Sequence, residues 1–293
     1  MDFKNGNELL SLCEQNNSSI SDIMRQREIT LTDATLEEIN TRMKKVFLIM
    51  QDSVHLPLTE PVKSIGGLIG GEAAKLRETR RKGKSICGTI LSKSITYAMA
   101  VLEVNASMGL IVAAPTAGSS GVVPGLLLAL QEEYSLADEN LINGLFTAGA
   151  IGYLIMRNAT VAGAEGGCQA EVGAASAMAA AAATEMMGGT PRQCMHAATT
   201  AIMNLLGLVC DPVAGLVECP CQSRNAIGVT NALTCAEIAL SGIEQFISFD
   251  EMLETMYRIG KRIPSELRET ALGGCATTPS GCEKACGIFG GCQ

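Results

Sequence analysis

The sequence contains no tryptophan, and aromatic residues make up only 3% of its 293 positions. Its core must therefore be filled by Ala, Leu, Ile, Val and the 14 Met residues, which favours close packing of helices over a large β-sandwich. Convincing strand alternation is also missing. We expect an all-α fold, formed as one compact multi-helix domain with Gly- and Pro-rich loops.

The sequence also lacks a surplus of positive charge. Its formal net charge is -8 and its pI is about 5.0. A nucleic-acid-binding face needs excess Lys and Arg to neutralise phosphates, so we expect no nucleic-acid partner. A small molecule or another protein is the expected partner.

Long apolar runs and a secretion signal are missing as well. Apolar stretches are broken by Pro, Gly, Ser or Glu before they reach the roughly 18 residues of a membrane span. The start, MDFKNGNELLSLCEQNN, shows neither a basic region nor a continuous apolar region. We expect a cytoplasmic protein without membrane contact, in which the 12 cysteines stay reduced.

Helix signals, in contrast, recur along the chain. Thr35 with Glu38 fits a capping box before an apolar periodicity, and Ser248 with Glu251 fits another. Thr190-Pro191 supplies an N-cap and a proline at the first helical position. An alanine-rich helix precedes it, and alanine indicates close helix neighbours. We predict at least eight helices.

Composition divides the chain into three parts. Residues 1–60 are predicted to form a helical segment packed on the main domain, and the Pro- and Gly-rich stretch beginning at Pro57 separates the two. Residues 61–272 form the predicted main helical domain. Residues 273–293 form a Cys- and Gly-rich tail that we expect to be mobile.

The stretch VCDPVAGLVECPCQSRN, residues 209–225, holds three cysteines in a loop interrupted by Pro212 and Pro220. Proline excludes a helix interior and a central strand, so the thiols are expected to be displayed rather than packed. Cys168, Cys210 and Cys221 each lie at a helix boundary beside Gly, Asp or Pro. Three readings stay open: buried free cysteines, structural zinc, which the lack of any C-x2-C pair disfavours, and an iron-sulfur cluster, which tolerates scattered ligands.

A second loop, GLIVAAPTAGSSGVVPG at residues 109–125, is rich in Gly and carries Thr116, Ser119 and Ser120. Such a loop before an apolar helix can bind an anion through its backbone N–H groups. It can equally be a plain connector with helix-capping hydroxyls.

Four motifs closely resemble those of the iron-sulfur L-serine dehydratases, and more narrowly the alpha subunit of their two-subunit bacterial form. They are APTAGSSGVVPG at 114–125, AEGGCQAEVGAASAMAAAA at 164–182, CDPVAGLVECPCQSRN at 210–225 and LRETALGG at 267–274. The resemblance implies a 4Fe-4S cluster bound by Cys168, Cys210 and Cys221. It also implies elimination of water from L-serine, giving pyruvate and ammonia without pyridoxal phosphate.

The resemblance further implies a cysteine near the C-terminus that reaches the fourth iron. Cys282 is the best match by its distance from LRETALGG, with Cys286 and Cys292 as alternatives. Cys219 has no role that the family assigns.

The general base is missing from the matched motifs. His55 is expected at the surface, His196 in a helix core, and the histidine-bearing N-terminal domain of single-chain family members has no counterpart here. The resemblance therefore implies a beta subunit that brings the base.

Other candidates follow from their chemistry. Thr116, Ser119, Ser120 and Lys63 could bind the substrate carboxylate. Glu165, Glu171, Arg224 and Asn225 flank the cysteines and could orient ligands or substrate, or simply cap helices. Two other functions stay open: an L-cysteine desulfidase-type lyase with the same cluster, and a non-enzymatic iron-sulfur sensing module.

Overall fold

Helices make up the regular secondary structure of residues 1–291, the part of the chain that the computed structural model describes. The α-helices in this range are α1 (Gly6–Asn16), α2 (Ile20–Thr32), α3 (Leu36–Thr59), α4 (Glu72–Arg81), α5 (Gly88–Ala106), α6 (Val122–Tyr134), α7 (Asp138–Asn158), α8 (Gly163–Gly166), α9 (Ala174–Met186), α10 (Pro191–Asn204), α11 (Cys221–Leu240), α12 (Phe249–Gly260) and α13 (Pro279–Phe289). The only strand-like pairing within residues 1–291 is an isolated bridge between Cys210 and Arg268. The all-α prediction is confirmed.

Capping boxes start four of these helices, in each case with a hydroxyl that accepts a backbone N–H and an acidic or amide side chain that returns the bond. The predicted pairs at Thr35 and Ser248 are both present, and Thr190 pairs with Gln193 at the start of α10. A fourth pair, which begins at Ser19, starts α2. Short-range signals therefore fix these helix starts correctly.

Helix α9 lies at the centre of the molecule and packs against α6, α7, α10 and α11. All its residues from Ala174 to Thr184 are buried. Because most of these side chains are single methyl groups, the surrounding helices approach the α9 backbone closely.

Helices α5 and α6 also approach closely, through a glycine. A Cβ atom at Gly125 would lie 2.8 Å from the backbone nitrogen of Ala98, too short for a real contact. The glycine lets the start of α6 rest on α5. This contact also fixes the position of the Gly-rich loop before α6 relative to α5.

The first 60 residues share the main apolar core, since Phe47 and Met50 pack in the same cluster as Leu126. Helix α3 continues through Pro57 to Thr59, so the irregular segment begins later than predicted. Proline costs one backbone hydrogen bond near the helix end, and the buried side chain of Leu58 keeps the last turn in place. The division of the chain near residue 60 stays a prediction.

The C-terminal tail is more regular than expected. Thr278 caps α13 by accepting the Gly281 N–H, and Pro279 occupies the first helical position. The helix packs against the turn Val213–Gly215, which lies in the cysteine-rich loop. No helix was predicted here, because the Thr-Pro helix signal was overlooked, and the expected mobility of the tail stays a prediction.

None of the helices within residues 1–291 combines the length and the hydropathy that crossing a bilayer requires.

Candidate active site

Three loops bring Cys168, Cys210 and Cys221 together in the interior. Cys168 and Cys210 pack with Val172 in one buried cluster, and Cys168 lies near enough to Cys221 to raise the pKa of that thiol. All three are buried, at 3%, 3% and 8% exposure. The prediction that the loop displays its thiols was wrong for Cys210 and Cys221, and right only for Cys219, which is exposed.

Backbone contacts explain how distant segments meet here. Gly167 adopts a left-handed φ of 73° just before Cys168, and a Cβ there would lie 2.9 Å from the Leu208 carbonyl oxygen. The Gln169 N–H then donates to Leu208 O at 2.9 Å. A π-helical turn, Gln169–Gly173, follows before α9 begins, and such turns are often found at functional sites.

The LRETALGG motif holds Cys210 from the other side. The Cys210 N–H donates to Leu267 O at 2.8 Å, and the Glu269 N–H donates to Cys210 O at 2.7 Å. This is the isolated bridge of the fold. The motif therefore acts through its backbone, by fixing the position of one thiol.

Burial and mutual proximity make the thiols of Cys210 and Cys221 hard to ionise. The contact with Cys168, followed by burial, raises the pKa of Cys210, and burial with the nearby Cys168 raises the pKa of Cys221 to about 12. A bound cationic metal centre would reverse this, since ligation requires thiolates and stabilises them. The thiols fit a metal-binding role through their donor chemistry.

Glu171 connects the cysteines to the Gly-rich loop. Its Oε1 accepts the Thr116 hydroxyl at 2.7 Å, and its Oε2 accepts from the Cys210 thiol at 3.7 Å. Burial raises the pKa of Glu171 above its ordinary value, despite the Thr116 hydrogen bond. The Ser119 hydroxyl lies 3.1 Å from that of Thr116, whereas Ser120 Oγ turns away and donates to Ala117 O at 2.8 Å.

Arg224 forms a buried ion pair beside the thiols. Its Nη2 lies 2.7 Å from Asp211 Oδ1, and its Nη1 donates to Val209 O at 2.8 Å. Asp211 Oδ2 accepts the Cys275 N–H at 2.7 Å. Burial opposes ionisation of Asp211, but the hydrogen bonds from Cys275 and the charge of Arg224 keep its pKa below the usual value.

Asn225 is fully buried and uses its amide to join two loops. Its Oδ1 accepts the Gly121 N–H at 3.0 Å, while its Nδ2 donates to Gly118 O at 2.8 Å and to Cys221 O at 2.9 Å. All these partners are backbone groups. The structure therefore places Asn225 as a positioning residue between the Gly-rich loop and the start of α11.

Glu218 fixes the segment that follows α3. Its carboxylate accepts the Gly66 N–H at 2.7 Å, the Leu68 N–H at 2.8 Å and the Ser64 hydroxyl at 2.6 Å. The predicted Lys63 lies on this same segment with an exposed side chain. Glu165 belongs to the single turn of α8, and its carbonyl oxygen accepts from Arg268 at 3.4 Å.

Both histidines have their contacts away from the three thiols. His55 is partly exposed, with Nε2 3.6 Å from Glu132 and its ring against Tyr97. His196 is half-buried, and its Nδ1 accepts the Gln245 N–H at 3.2 Å. Burial lowers the pKa of His196.

The C-terminal cysteines differ in position. Cys282 is exposed on α13, with its Sγ 3.7 Å from Ala276 O. Cys286 is half-buried on the same helix, and Cys292 lies outside the described residues. Cys275, which was not predicted, contacts the Asp211 carboxylate next to Cys210.

Residues 1–291 hold no set of three His, Cys, Asp or Glu side chains arranged around a single metal ion. A cluster requires a different arrangement, because each thiolate binds a different iron of a larger core. Three buried thiols from separate loops satisfy that requirement in number and chemistry.

The family model described as "Serine dehydratase alpha chain" matches residues 15–276. The chain belongs to this family. It is 49% identical to the "Probable L-serine dehydratase, alpha chain" of Bacillus subtilis, over 99% of this chain and 96% of that protein. It is also 46% identical to the "L-serine dehydratase, alpha chain" of Peptoniphilus asaccharolyticus, over 94% of each.

The chain also matches part of a longer relative. The "L-serine dehydratase TdcG" of Escherichia coli is 37% identical over 94% of this chain, and the match spans 62% of that protein. This chain thus matches nearly the whole length of two relatives and only part of a longer one. The resemblance inferred from the four motifs is confirmed.

Sequence reasoning missed Asp211, Glu218 and Cys275. The first two are acidic residues next to cysteines in an otherwise apolar loop, which was a usable signal. Cys275 gave no such signal, since only the fold brings its backbone to Asp211.

Proposed function

We propose that this chain is the alpha subunit of an L-serine dehydratase, which eliminates water from L-serine and yields pyruvate and ammonia. Family membership supports the reaction. The observation that carries the assignment to a site is the meeting of Cys168, Cys210 and Cys221 in the interior, beside Glu171 and Arg224.

Within this proposal, Cys168, Cys210 and Cys221 hold a 4Fe-4S cluster. Three thiolates leave one iron without a protein thiolate, so the bound cluster supplies a Lewis acid for the hydroxyl and carboxylate of serine. Arg224 lies close enough for its charge to stabilise the thiolates of Cys168 and Cys221. Its ion pair with Asp211 keeps the guanidinium in place.

The residues of the Gly-rich loop are proposed to bind and orient the substrate. Thr116 and Ser119 present hydroxyls beside Glu171, where they can hydrogen-bond a carboxylate. Burial raises the pKa of Glu171, which favours the protonated form of its carboxyl group. Lys63 is proposed to add positive charge near the same carboxylate, while Ser120 and Asn225 keep the loop in shape.

Elimination also requires a base that removes the α-proton while the hydroxyl leaves as water. The resulting aminoacrylate tautomerises and is hydrolysed to pyruvate and ammonia. Because His55 and His196 contact other parts of the fold, we propose that a separate beta chain supplies the base. This chain spans 62% of the longer Escherichia coli relative, and we propose that the remaining part of that relative corresponds to the separate beta chain.

A C-terminal cysteine is proposed to reach the fourth iron in the resting state, with Cys282 as the first choice. The packing of α13 on the turn Val213–Gly215 supports this, because it places the helix beside the cysteine-rich loop. Cys286 and Cys292 remain the alternatives.

The test is an anaerobic purification of this chain alone and with its cognate beta chain, followed by assays of iron, sulfide, cluster EPR and pyruvate formation from L-serine. We expect cluster-loaded protein in both preparations and pyruvate only from the pair. Sulfide release from L-cysteine without pyruvate from L-serine would favour a desulfidase. A cluster without turnover of either amino acid would favour a sensing module, and protein without iron would refute the thiol site.

A further inference from the structure

Positive charge is concentrated in one short segment of this acidic chain. Residues 75–84, KLRETRRKGK, carry six Lys or Arg side chains and one acidic residue, although the whole chain has a net charge of -8. Helix α4 contains the first part of this segment, and residues 81–84 are exposed. Arg81 and Lys84 have no acidic partner among the ion pairs of residues 1–291, whereas Lys82 pairs with Glu78 at 3.2 Å.

Exposed apolar side chains lie at both ends of α5, the helix on which α4 packs, and one of them directly follows the basic segment. Ile86 follows it and is 99% exposed, an extreme value for a residue that is usually buried. Ile65, Met108 and Leu110 are also largely exposed. Leu110 and Leu56 line a groove of about 470 Å³, and Met108 lies between two other residues of its lining, Ser107 and Gly109.

These parts form one elongated face along α4 and α5, with Ile86 near one end of α5 and Ile65, Met108 and Leu110 near the other. The Ile65 N–H donates to Ala106 O at 2.9 Å, which places Ile65 near Met108. Arg80 Nη1 donates to Thr96 Oγ1 at 3.2 Å, and the neighbouring Tyr97 packs against His55 at the edge of the groove. We define the α4 face by these exposed residues: Leu56, Ile65, Arg81, Lys84, Ile86, Met108 and Leu110.

The α4 face continues into the candidate site. Glu218, in the cysteine-rich loop, holds the backbone of Gly66 and Leu68 directly beside Ile65. Asn105 Nδ2 donates to Ala117 O at 3.3 Å, which links the groove to the loop of Thr116. A protein bound on this face would lie within reach of the site.

We propose that the α4 face docks the beta chain, through a matching surface with acidic residues opposite Arg81 and Lys84 and an apolar pocket for Ile86. The inference rests on the proposed two-chain enzyme and adds the location and chemistry of its interface. The exposed basic side chains without an acidic partner, and the continuity of the face with the base-deficient site, carry it. Exposed apolar side chains beside unpaired charges are typical of protein interaction sites, and the fully exposed Ile86 favours a protein over nucleic acid.

Two variants test the proposal, each with a matched control. Ile86→Asp is compared with Phe246→Asp, which changes a 95% exposed side chain on the loop before α12. Arg81→Glu/Lys84→Glu is compared with Lys44→Glu/Lys45→Glu, a change of equal charge at exposed positions of α3. Association of each cluster-loaded variant with the beta chain is measured by sedimentation at low and high salt.

We expect both face variants to weaken association by about tenfold or more, and both controls to change it by less than about twofold. Added salt should weaken the wild-type complex and have a smaller effect on Arg81→Glu/Lys84→Glu. Iron content should be unchanged in all variants. These outcomes would support the docking face.

Wild-type affinity in both face variants would overturn the proposal, and so would a homodimer of this chain that only the face variants disrupt. If the unmodified chains do not associate at all, the two-chain proposal itself fails. The pyruvate assay of the mixture separates that failure from a misplaced interface.

Discussion

The helices of this protein begin in two different ways. Helices α2, α3, α10 and α12 start at a Ser or Thr side chain that bonds the first turn. Helices α6, α9 and α11, which frame the candidate site, begin at Gly121, Gly173 and Pro220 without a side-chain cap. The start of α6 is held instead by a distant group, the side-chain amide of Asn225.

Asn225 illustrates the second kind of start. It accepts the N–H of Gly121 across 104 residues of sequence, and it holds the Cys221 carbonyl at the start of its own helix. A local cap can form as soon as its helix forms, whereas this contact requires both loops to be in place. The site is therefore assembled by the fold, and the peripheral helix ends are assembled by nearby sequence.

The largest expected effect comes from removing a thiol of the site. Cys221→Ala should lower pyruvate formation by about 100-fold or more and reduce bound iron, because a ligand is lost. The substitution deletes one small buried group, so we expect the unfolding free energy to fall by only about 1 kcal/mol. Iron analysis and a pyruvate assay check the result.

The neighbouring Cys219 gives the matched control. Its thiol is exposed two residues away, and Cys219→Ala should leave iron content and activity close to those of the unmodified chain. Equal loss in both variants would contradict the assignment of Cys221 as a specific ligand.

Asn225→Ala is expected to be next in size. It would leave the Gly121 N–H and the Gly118 and Cys221 carbonyls without their buried partner, at a cost of about 3 kcal/mol. Urea unfolding measures the loss. Activity should fall together with stability, because Gly118 and Cys221 belong to the two loops of the site, and a destabilised variant with full activity would show that the loops hold together without it.

A peripheral cap should behave differently. Ser248→Ala removes the hydroxyl that accepts the Glu251 N–H at the start of α12, at a cost of about 1 kcal/mol. Pyruvate formation should be unchanged at temperatures where the protein stays folded. Ser248→Thr keeps the hydroxyl and should recover most of the stability.

The smallest expected effect concerns Glu103, a cap supplied from a distance. This buried carboxylate of α5 accepts the Ala73 N–H at 2.9 Å, and burial raises its pKa above the usual 4.5. The folded chain therefore binds a proton more tightly than the unfolded chain does. Stability from this group is present below pH 4.5 and decreases as the pH rises through the raised value.

Glu103→Gln should remove that decrease, because the amide cannot ionise while its oxygen still accepts the Ala73 N–H. Urea unfolding at several pH values compares the slopes of stability with pH. Identical slopes in the variant and the unmodified chain would show that Glu103 does not contribute to them.

These two kinds of helix start explain how far the sequence could be interpreted. Thr35, Thr190 and Ser248 were correctly predicted as helix starts because each signal spans only four residues. Cys168, Cys210 and Cys221 were grouped by their positions at helix boundaries, but only the family resemblance favoured a cluster over zinc or free thiols. The burial of Cys210, the role of Glu218 and the position of Cys275 depend on contacts between distant loops, which local sequence does not encode.

The alanine content of α9 has a consequence for how this protein can vary. Residues 174–184 carry no proposed chemistry, yet each is surrounded on all sides by neighbouring helices. Because these residues are buried, a larger side chain there has little room, so even one added methylene should be poorly tolerated. In a library of all single substitutions, this chemically plain helix should be as intolerant of change as the cysteines.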